Sequence, residues 1–256
     1  MKVKVLSSSS GWALPRIGCG CRICTSTDER DKRLRSSVLI NDSILIDPGP
    51  DIYHQLLRFE VSEISAVVIT HSHPDHILGL HDLIPKKCRA VKNAHVYGSE
   101  ETLREVKRLF PNTGYKVEAI KEYKSFEVCG VEFTAVPVVH SKSAPTVGYV
   151  IREGDRVMCY FSDFRSFKKE DDRKYFERVD CLFLDGSILK KPFPAWTNRW
   201  GHISITEGIR LAAECGVKKT FFTHIGHRTM PHKELERFLR KEGKFYPAFD
   251  GLEIKL

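Results

Sequence analysis

Short apolar runs broken by turn signals dominate the first half of the chain, and stretches of helical periodicity interrupt them. Residues 38–40 and 44–46 flank Asn41-Asp42-Ser43 and predict a hairpin; residues 126–128 and 131–139 flank Cys129-Gly130 and predict another. Helices are predicted over 51–59, over 100–110 behind a Ser99 cap, over 206–215 and over 233–241, before a last strand at 252–256. The helix at 206–215 has the clearest ends, because Ser204 and Glu207 make a capping box and Gly216 stands where a helix stops. Strands alternate with helices while hairpins are frequent, so the fold class is mixed α/β (α+β) rather than an all-parallel doubly wound sheet. No linker, Pro-rich stretch or repeat divides residues 1–256, which read as one domain.

Four predicted strands end on residues with metal-ligand chemistry. Residues 66–70 run into His71, 134–139 into His140, 157–162 into Asp163 and 219–223 into His224. Strand ends can converge at one edge of a sheet, so four such endings together point to a site. The first opens the densest cluster in the chain, His71-Ser72-His73-Pro74-Asp75-His76. A loop must present these side chains, with Asp75 and His76 beginning a helix. His71 and His73, two residues apart, can grip one ion; Asp75 and His76 can face a second. Carboxylate and imidazole suit Zn, Mn or Fe, and a two-metal site would draw further ligands from His140, Asp163 and His224.

Composition changes this picture little. With 41% hydrophobic residues in 256, the chain can bury a full core and is not a disordered tail. No apolar window reaches ~18 residues and the start carries no apolar signal core, so a cytoplasmic protein without a membrane partner is expected. The net charge of +8 comes from scattered Lys and Arg, which reads as a solvated surface more than a nucleic-acid patch. Of eight cysteines, Cys88, Cys129, Cys159, Cys181 and Cys215 stand alone and are expected to be buried free thiols. Cys19, Cys21 and Cys24 cluster at CxCxxC spacing, a zinc signal that lacks a fourth ligand.

The segment from His71 to His76 resembles the HxHxDH signature of the metallo-β-lactamase fold superfamily, and His140, Asp163 and His224 are similar to its later ligand motifs. The resemblance covers the whole chain. It implies a four-layer αββα sandwich with a binuclear centre at one edge: His71, His73 and His140 on one metal, Asp75, His76 and His224 on the other, Asp163 bridging. Within the superfamily the chain is similar to the PhnP-like phosphoribosyl cyclic phosphodiesterases, where a CxCxxC pairs with a His three residues beyond the last catalytic His; His227 fits, implying one structural zinc on Cys19, Cys21, Cys24 and His227. The segments 35–40, 140–142 and 250–254 also match that subgroup in order. Ser7 to Ser10 depart from it, replacing a glycine-rich turn and so leaving the shape of the adjoining loop open.

The activity implied is hydrolysis of a small cyclic phosphodiester, of phosphoribosyl or 2′,3′-cyclic nucleotide type, by a hydroxide held between two cations, Mn or Zn with Fe or Ni as alternatives. His202, just before a helix N-terminus, can protonate the leaving oxygen, a role that similar His residues in cyclic phosphodiesterases and tRNA 3′-processing nucleases favour over simple membership of the cap. Asp75 is a ligand or in part the group that orients the nucleophile. Asp47 is similar to the superfamily's acid that holds a ligand His, and it could equally begin the turn Asp47-Pro48-Gly49. Lys142, Arg165, Arg199 and Trp200 are candidate substrate contacts. The expected partner is a small phosphorylated substrate, with a homodimer as the assembly. The competing readings are an RNA-processing nuclease, against which stands the lack of a long Gly/Pro-rich arm, and a non-catalytic metal-binding accessory protein, against which stands the full set of seven ligands.

Overall fold

The structure, a computed structural model, describes residues 1–91, 94–190 and 201–256. Alternation along each strand sorts its side chains to two sides. In the hairpin of β2 (Ser37–Ile40) and β3 (Ile44–Ile46), Val38, Ile40, Ile44 and Ile46 enter one apolar core while Leu39 and Leu45 enter another. These strands belong to a seven-stranded sheet ordered β15 (Glu253–Lys255), β1 (Lys2–Ser7), β2, β3, β4 (Ala66–Val68), β5 (His95–Gly98) and β6 (Lys116–Ala119). The second sheet runs β11 (Ser166–Phe167), β8 (Val131–Val139), β9 (Thr146–Glu153), β10 (Arg156–Phe161), β12 (Cys181–Asp185), β13 (Thr220–Thr223) and β14 (Phe245–Pro247), with β7 (Ser125–Val128) also on β8.

Val3, Val5, Val38 and Ile46 from the first sheet meet Phe133, Tyr149, Tyr160 and Phe183 from the second in a central core. Outside the first sheet, Leu39, Leu45, Val67 and Val96 pack on α1 (Ile52–Arg58), α2 (Pro74–Ile77) and α3 (Glu100–Leu109) through Ile52, Ile77, Leu103 and Val106. Outside the second, Cys159, Phe161, Leu182 and Phe222 pack on α4 (Ile205–Glu214) and α5 (His232–Lys241) through Ile205, Ala212, Leu235 and Leu239. Helix, sheet, sheet and helix therefore form an αββα sandwich of mixed α/β class, as the resemblance implies. Both predicted hairpins form, and the predicted capping box is present: Ser204 Oγ accepts from the Glu207 N–H at 3.3 Å while the Ser204 N–H donates to Glu207 at 3.0 Å.

The cysteine expectation needs correction. Cys159 and Cys181 are buried free thiols, but Cys88 and Cys215 are half-buried and Cys129 is exposed. The reason at Cys129 is the turn it occupies with Gly130 between β7 and β8, where its φ is 50° and the residue is exposed while Val128 and Val131 on either side enter the core. Among the described residues, no helix is long and apolar enough to cross a membrane.

What positions the site is strand direction. β8 and β10 are both antiparallel to β9, and β10, β12 and β13 are mutually parallel, so β8, β10, β12 and β13 all end at the same edge. The first sheet reaches that edge just beyond β4, where the Tyr149 hydroxyl donates to the Ile69 carbonyl at 2.7 Å and the Val147 N–H to the Thr70 carbonyl at 3.2 Å.

Candidate metal centre and its cleft

His71, His73, Asp75 and His76 follow β4 on one side of this edge; His140, Asp163 and His224 follow β8, β10 and β13 on the other. His71 Nε2 lies 2.9 Å from His73 Nδ1, which lies 3.3 Å from His140 Nε2. Asp75 Oδ2 is 3.2 Å from His76 Nε2 and 3.8 Å from His224 Nε2. Asp163 stands between the two groups, with Oδ2 3.2 Å from His76 Nε2, and Oδ1 3.4 Å from His140 Nε2 and 3.5 Å from His224 Nε2. Among the described residues, both ring nitrogens of buried His224 and Oδ2 of Asp163 have no hydrogen-bond partner. Lone pairs crowded this closely repel, and orphaned buried polar atoms are costly. A divalent cation relieves both, so the donor set fits one.

Protonation states agree. Burial, together with neighbouring imidazoles, drives the His71 pKa well below its ordinary range, and burial lowers His73 and His140 as well. Burial works against ionised Asp163, but His224, His76 and His140 outweigh it and hold the carboxyl well below the usual range. At His76, burial is outweighed by the carboxylates of Asp75, Asp163 and Asp47, which push its pKa up, so the pocket favours positive charge.

The second nitrogens are fixed by neighbours. His76 Nδ1 donates to Asp47 Oδ2 at 2.9 Å, and His140 Nδ1 donates to the Gly201 carbonyl at 2.7 Å. The Thr70 hydroxyl gives its only proton to Asp47 Oδ2 at 2.8 Å, so at His71 it accepts from Nδ1 at 2.9 Å. Each of these three rings therefore turns its Nε2 to the cluster. Asp47 is fully buried and also accepts the Thr70 N–H at 2.8 Å, so its carboxylate is bonded to Thr70 and His76 as well as opening the turn. A Cβ on Gly79 would collide with the Gly49 carbonyl and Ile52, and one on Gly49 with the Asp75 carbonyl, which explains why the motif is followed by glycine.

His202 reaches the same cluster. Its Nδ1 lies 2.6 Å from Asp185 Oδ2, its ring stacks on His224 with centroids 5.4 Å apart, and it meets His140 edge-on at 4.8 Å. Burial would lower its pKa, but the charge and hydrogen bond of Asp185 outweigh burial and raise it to about 9. Asp185 is locked in turn by the N–H groups of Phe164 at 3.1 Å and Ser187 at 2.9 Å. A cleft of about 520 Å³ opens over His73, Asp75, His140, Asp163, His202 and His224, and Trp12, Arg16 and Arg228 line it as well. Lys142 and Arg165 do not line it. They flank a second cleft that shares His73 and His140. Arg199 and Trp200 lie outside the described residues.

Cys19, Cys21, Cys24 and His227 also converge, with their ligand atoms within 4.8 Å of one another. His227 Nδ1 is 3.5 Å from Cys19 Sγ and 4.0 Å from Cys21 Sγ. This set of three thiols and an imidazole suits a tetrahedral zinc. It joins the N-terminal loop to the loop carrying His224, where the Ser10 N–H also donates to the Ile225 carbonyl at 3.2 Å.

The family described as "Beta-lactamase superfamily domain" matches residues 42–225. A crystal structure described as a new diphosphatase from the PhnP family superposes with a TM-score of 0.83 at 33% identity, over 100% of this chain and 97% of that one. The chain belongs to the β-lactamase superfamily, in its PhnP family. Zinc-bound PqqB from Methylobacterium extorquens shares the fold, with a TM-score of 0.84 at 22% identity and full coverage of both chains. A protein named octanoyltransferase from Porphyromonas gingivalis (strain ATCC BAA-308 / W83) is 28% identical over 99% of this chain, which spans 51% of that longer protein.

Three residues of this family member escaped the sequence reading. Asp185 ends β12 just as Asp163 follows β10, an apolar run closing on a carboxylate, and that signal was available. Trp12 and Arg16 sit in an irregular loop whose course depends on the cysteine cluster, and no local pattern marks them. The Ser7–Ser10 segment, buried throughout, packs its backbone against Arg35 and Ile225 and brings Gly11 beside Asp75.

Proposed function

We propose that this chain is a metal-dependent phosphodiesterase that opens a small cyclic phosphodiester of phosphoribosyl or 2′,3′-cyclic nucleotide type. In this reading His71, His73 and His140 hold one divalent cation, Asp75, His76 and His224 hold another, and Asp163 reaches both; zinc or manganese suits the donors. Cations bound there supply charge neutralisation at phosphoryl oxygens and a lowered pKa for water. The observation that carries the reading is His202: with Nδ1 committed to Asp185, its Nε2 is the ring atom free to hand a proton to a departing alkoxide beside the ligand cluster. Asp185 fixes the tautomer and orientation of that ring, as Thr70 fixes His71 and Asp47 fixes His76. The Cys19, Cys21, Cys24 and His227 set holds a structural zinc.

A second reading has one specific support. The PhnP-family structure at 33% identity is described as a diphosphatase, and the second cleft places Lys142, Arg165 and Lys168 beside His140, where a further phosphate would find cations. A screen of cyclic phosphates, linear phosphodiesters, diphosphates, tRNA precursors and thioesters with added Mn or Zn separates the classes. Preferred turnover of a cyclic phosphodiester is expected; turnover confined to diphosphates would replace the first reading with the second. Metal content addresses the accessory-protein alternative, since a catalytic chain holds about three ions and an accessory chain nearer one.

A further inference from the structure

We propose that Trp12, backed by Arg16, is the docking platform for a planar ring on the leaving group, so that the substrate is a nucleoside phosphoester and not a bare sugar phosphate. The proposal rests on the phosphodiesterase reading for its chemistry, but the platform is defined by its own geometry. Trp12 is 64% exposed, an unfavourable setting for an indole, and it lines the same cleft as Asp75, His202 and His224. The Arg16 guanidinium lies 5.1 Å from the indole centroid and covers one side of the ring. The rest of the indole remains open.

This is not a loose loop tip. The Ser9 hydroxyl donates to the Trp12 carbonyl at 2.7 Å, and Leu14 and Arg33 exchange backbone hydrogen bonds at 2.7 and 2.8 Å. The Arg16 N–H donates to Cys24 Sγ at 3.3 Å, so the cysteine cluster sets the position of the guanidinium that backs the ring. A rigid, half-covered indole loses little freedom on stacking and tolerates any base, since every base has a π-face.

Its position selects the half of the substrate it would hold. In a ribose cyclic phosphate the departing oxygen and the base belong to one sugar, so both lie on the side of His202. That side is the cleft containing Trp12. Among the described residues, the other cleft, with Lys142, Arg165 and Lys168, is lined by Val138 and Val139 and by no aromatic residue other than the shared histidines.

The test compares cytidine 2′,3′-cyclic phosphate with the base-free methyl riboside 2′,3′-cyclic phosphate in wild type, Trp12→Ala and Trp12→Phe holoenzyme. Stacking is worth roughly tenfold or more in affinity. The ratio of kcat/KM between the two substrates should fall about tenfold in Trp12→Ala, through KM, and Trp12→Phe should restore most of it. A ratio within about twofold of wild type in Trp12→Ala overturns the platform. If wild type turns over neither substrate, the phosphodiesterase reading has failed by itself, and calorimetry then decides the platform. A preference of roughly tenfold for cytidine 5′-monophosphate over ribose 5-phosphate, abolished by Trp12→Ala, supports it; equal dissociation constants in wild type overturn it and leave the exposed Trp12 as a contact for some other class of partner.

Discussion

Asp185 Oδ2 accepts the Nδ1 proton of His202 at 2.6 Å, and the carboxylate that does so is completely buried. The pair matters because it leaves one nitrogen of the imidazole committed and the other available. In His202→Ala, hydrolysis of substrates that expel a ribose alkoxide should fall by ~10²–10⁴-fold, whereas esters expelling p-nitrophenolate, which leaves without a proton, should lose far less. Asp185→Asn should shift rates in the same direction while bound metal stays constant. Equal losses on both leaving groups would make His202 a phosphate contact instead of a proton donor.

His71 and Asp163 offer a harsher perturbation. Each leaves a buried cluster of donors incomplete, so His71→Ala and Asp163→Ala should abolish turnover of bis(p-nitrophenyl) phosphate and reduce bound metal, with an unchanged circular dichroism spectrum. Wild-type rates in either folded variant would sink the two-cation assignment.

For the cysteine cluster the expected readout is stoichiometry. Cys21→Ser should lose one zinc per chain and lower Tm by roughly 5 °C, because metal binding free energy there is folding free energy. An unchanged zinc count would show that Cys19, Cys21, Cys24 and His227 are not a site.

A further prediction concerns acid stability and a histidine outside the ligand set. Fully buried Arg33 donates to His232 Nδ1 at 2.8 Å and to the Ser8 hydroxyl at 2.7 Å, while Asp31 accepts the His232 N–H at 2.8 Å. Burial, then the guanidinium groups of Arg33 and Arg30, lower the His232 pKa from 6.5 to about 3, against a smaller opposing pull from Asp28. The unfolded chain therefore takes up a proton below about pH 6.5 that the folded chain refuses until about pH 3, and stability falls as pH drops through that window. His232→Asn keeps an acceptor for Arg33 but cannot titrate, so its Tm should decline less between pH 6.5 and 4 than that of wild type. Parallel Tm profiles would refute the linkage.

Elements with strong local signals were legible in the sequence. The Asn41-Asp42-Ser43 turn, the Ser99 and Ser204 caps and the strand endings at His71, His140, Asp163 and His224 all carry their chemistry within a few residues. The edge strand β6 does not: Lys116–Ala119 is largely exposed and pairs with β5 while Val117 reaches the outer apolar cluster, so little in its side chains announces it. Asp47 was ambiguous because a turn aspartate and a buried positioning aspartate share the same neighbours in sequence. Only its burial and its bonds to Thr70 and His76 separate them. The convergence of Trp12 with His202 depends on a loop crossing the cleft, which no local periodicity encodes.

The candidate ligands are divided between the two halves of the sandwich, four on the loop and short helix after β4 and three just beyond the ends of strands of the opposing sheet. A cation pair held by all seven would be a cross-link as well as a catalyst, riveting the sheets at the edge where β8, β10, β12 and β13 end. Chelation would then register at both sheets at once, and the mouth of the sandwich, with its interior apolar packing untouched, would become the first place to breathe.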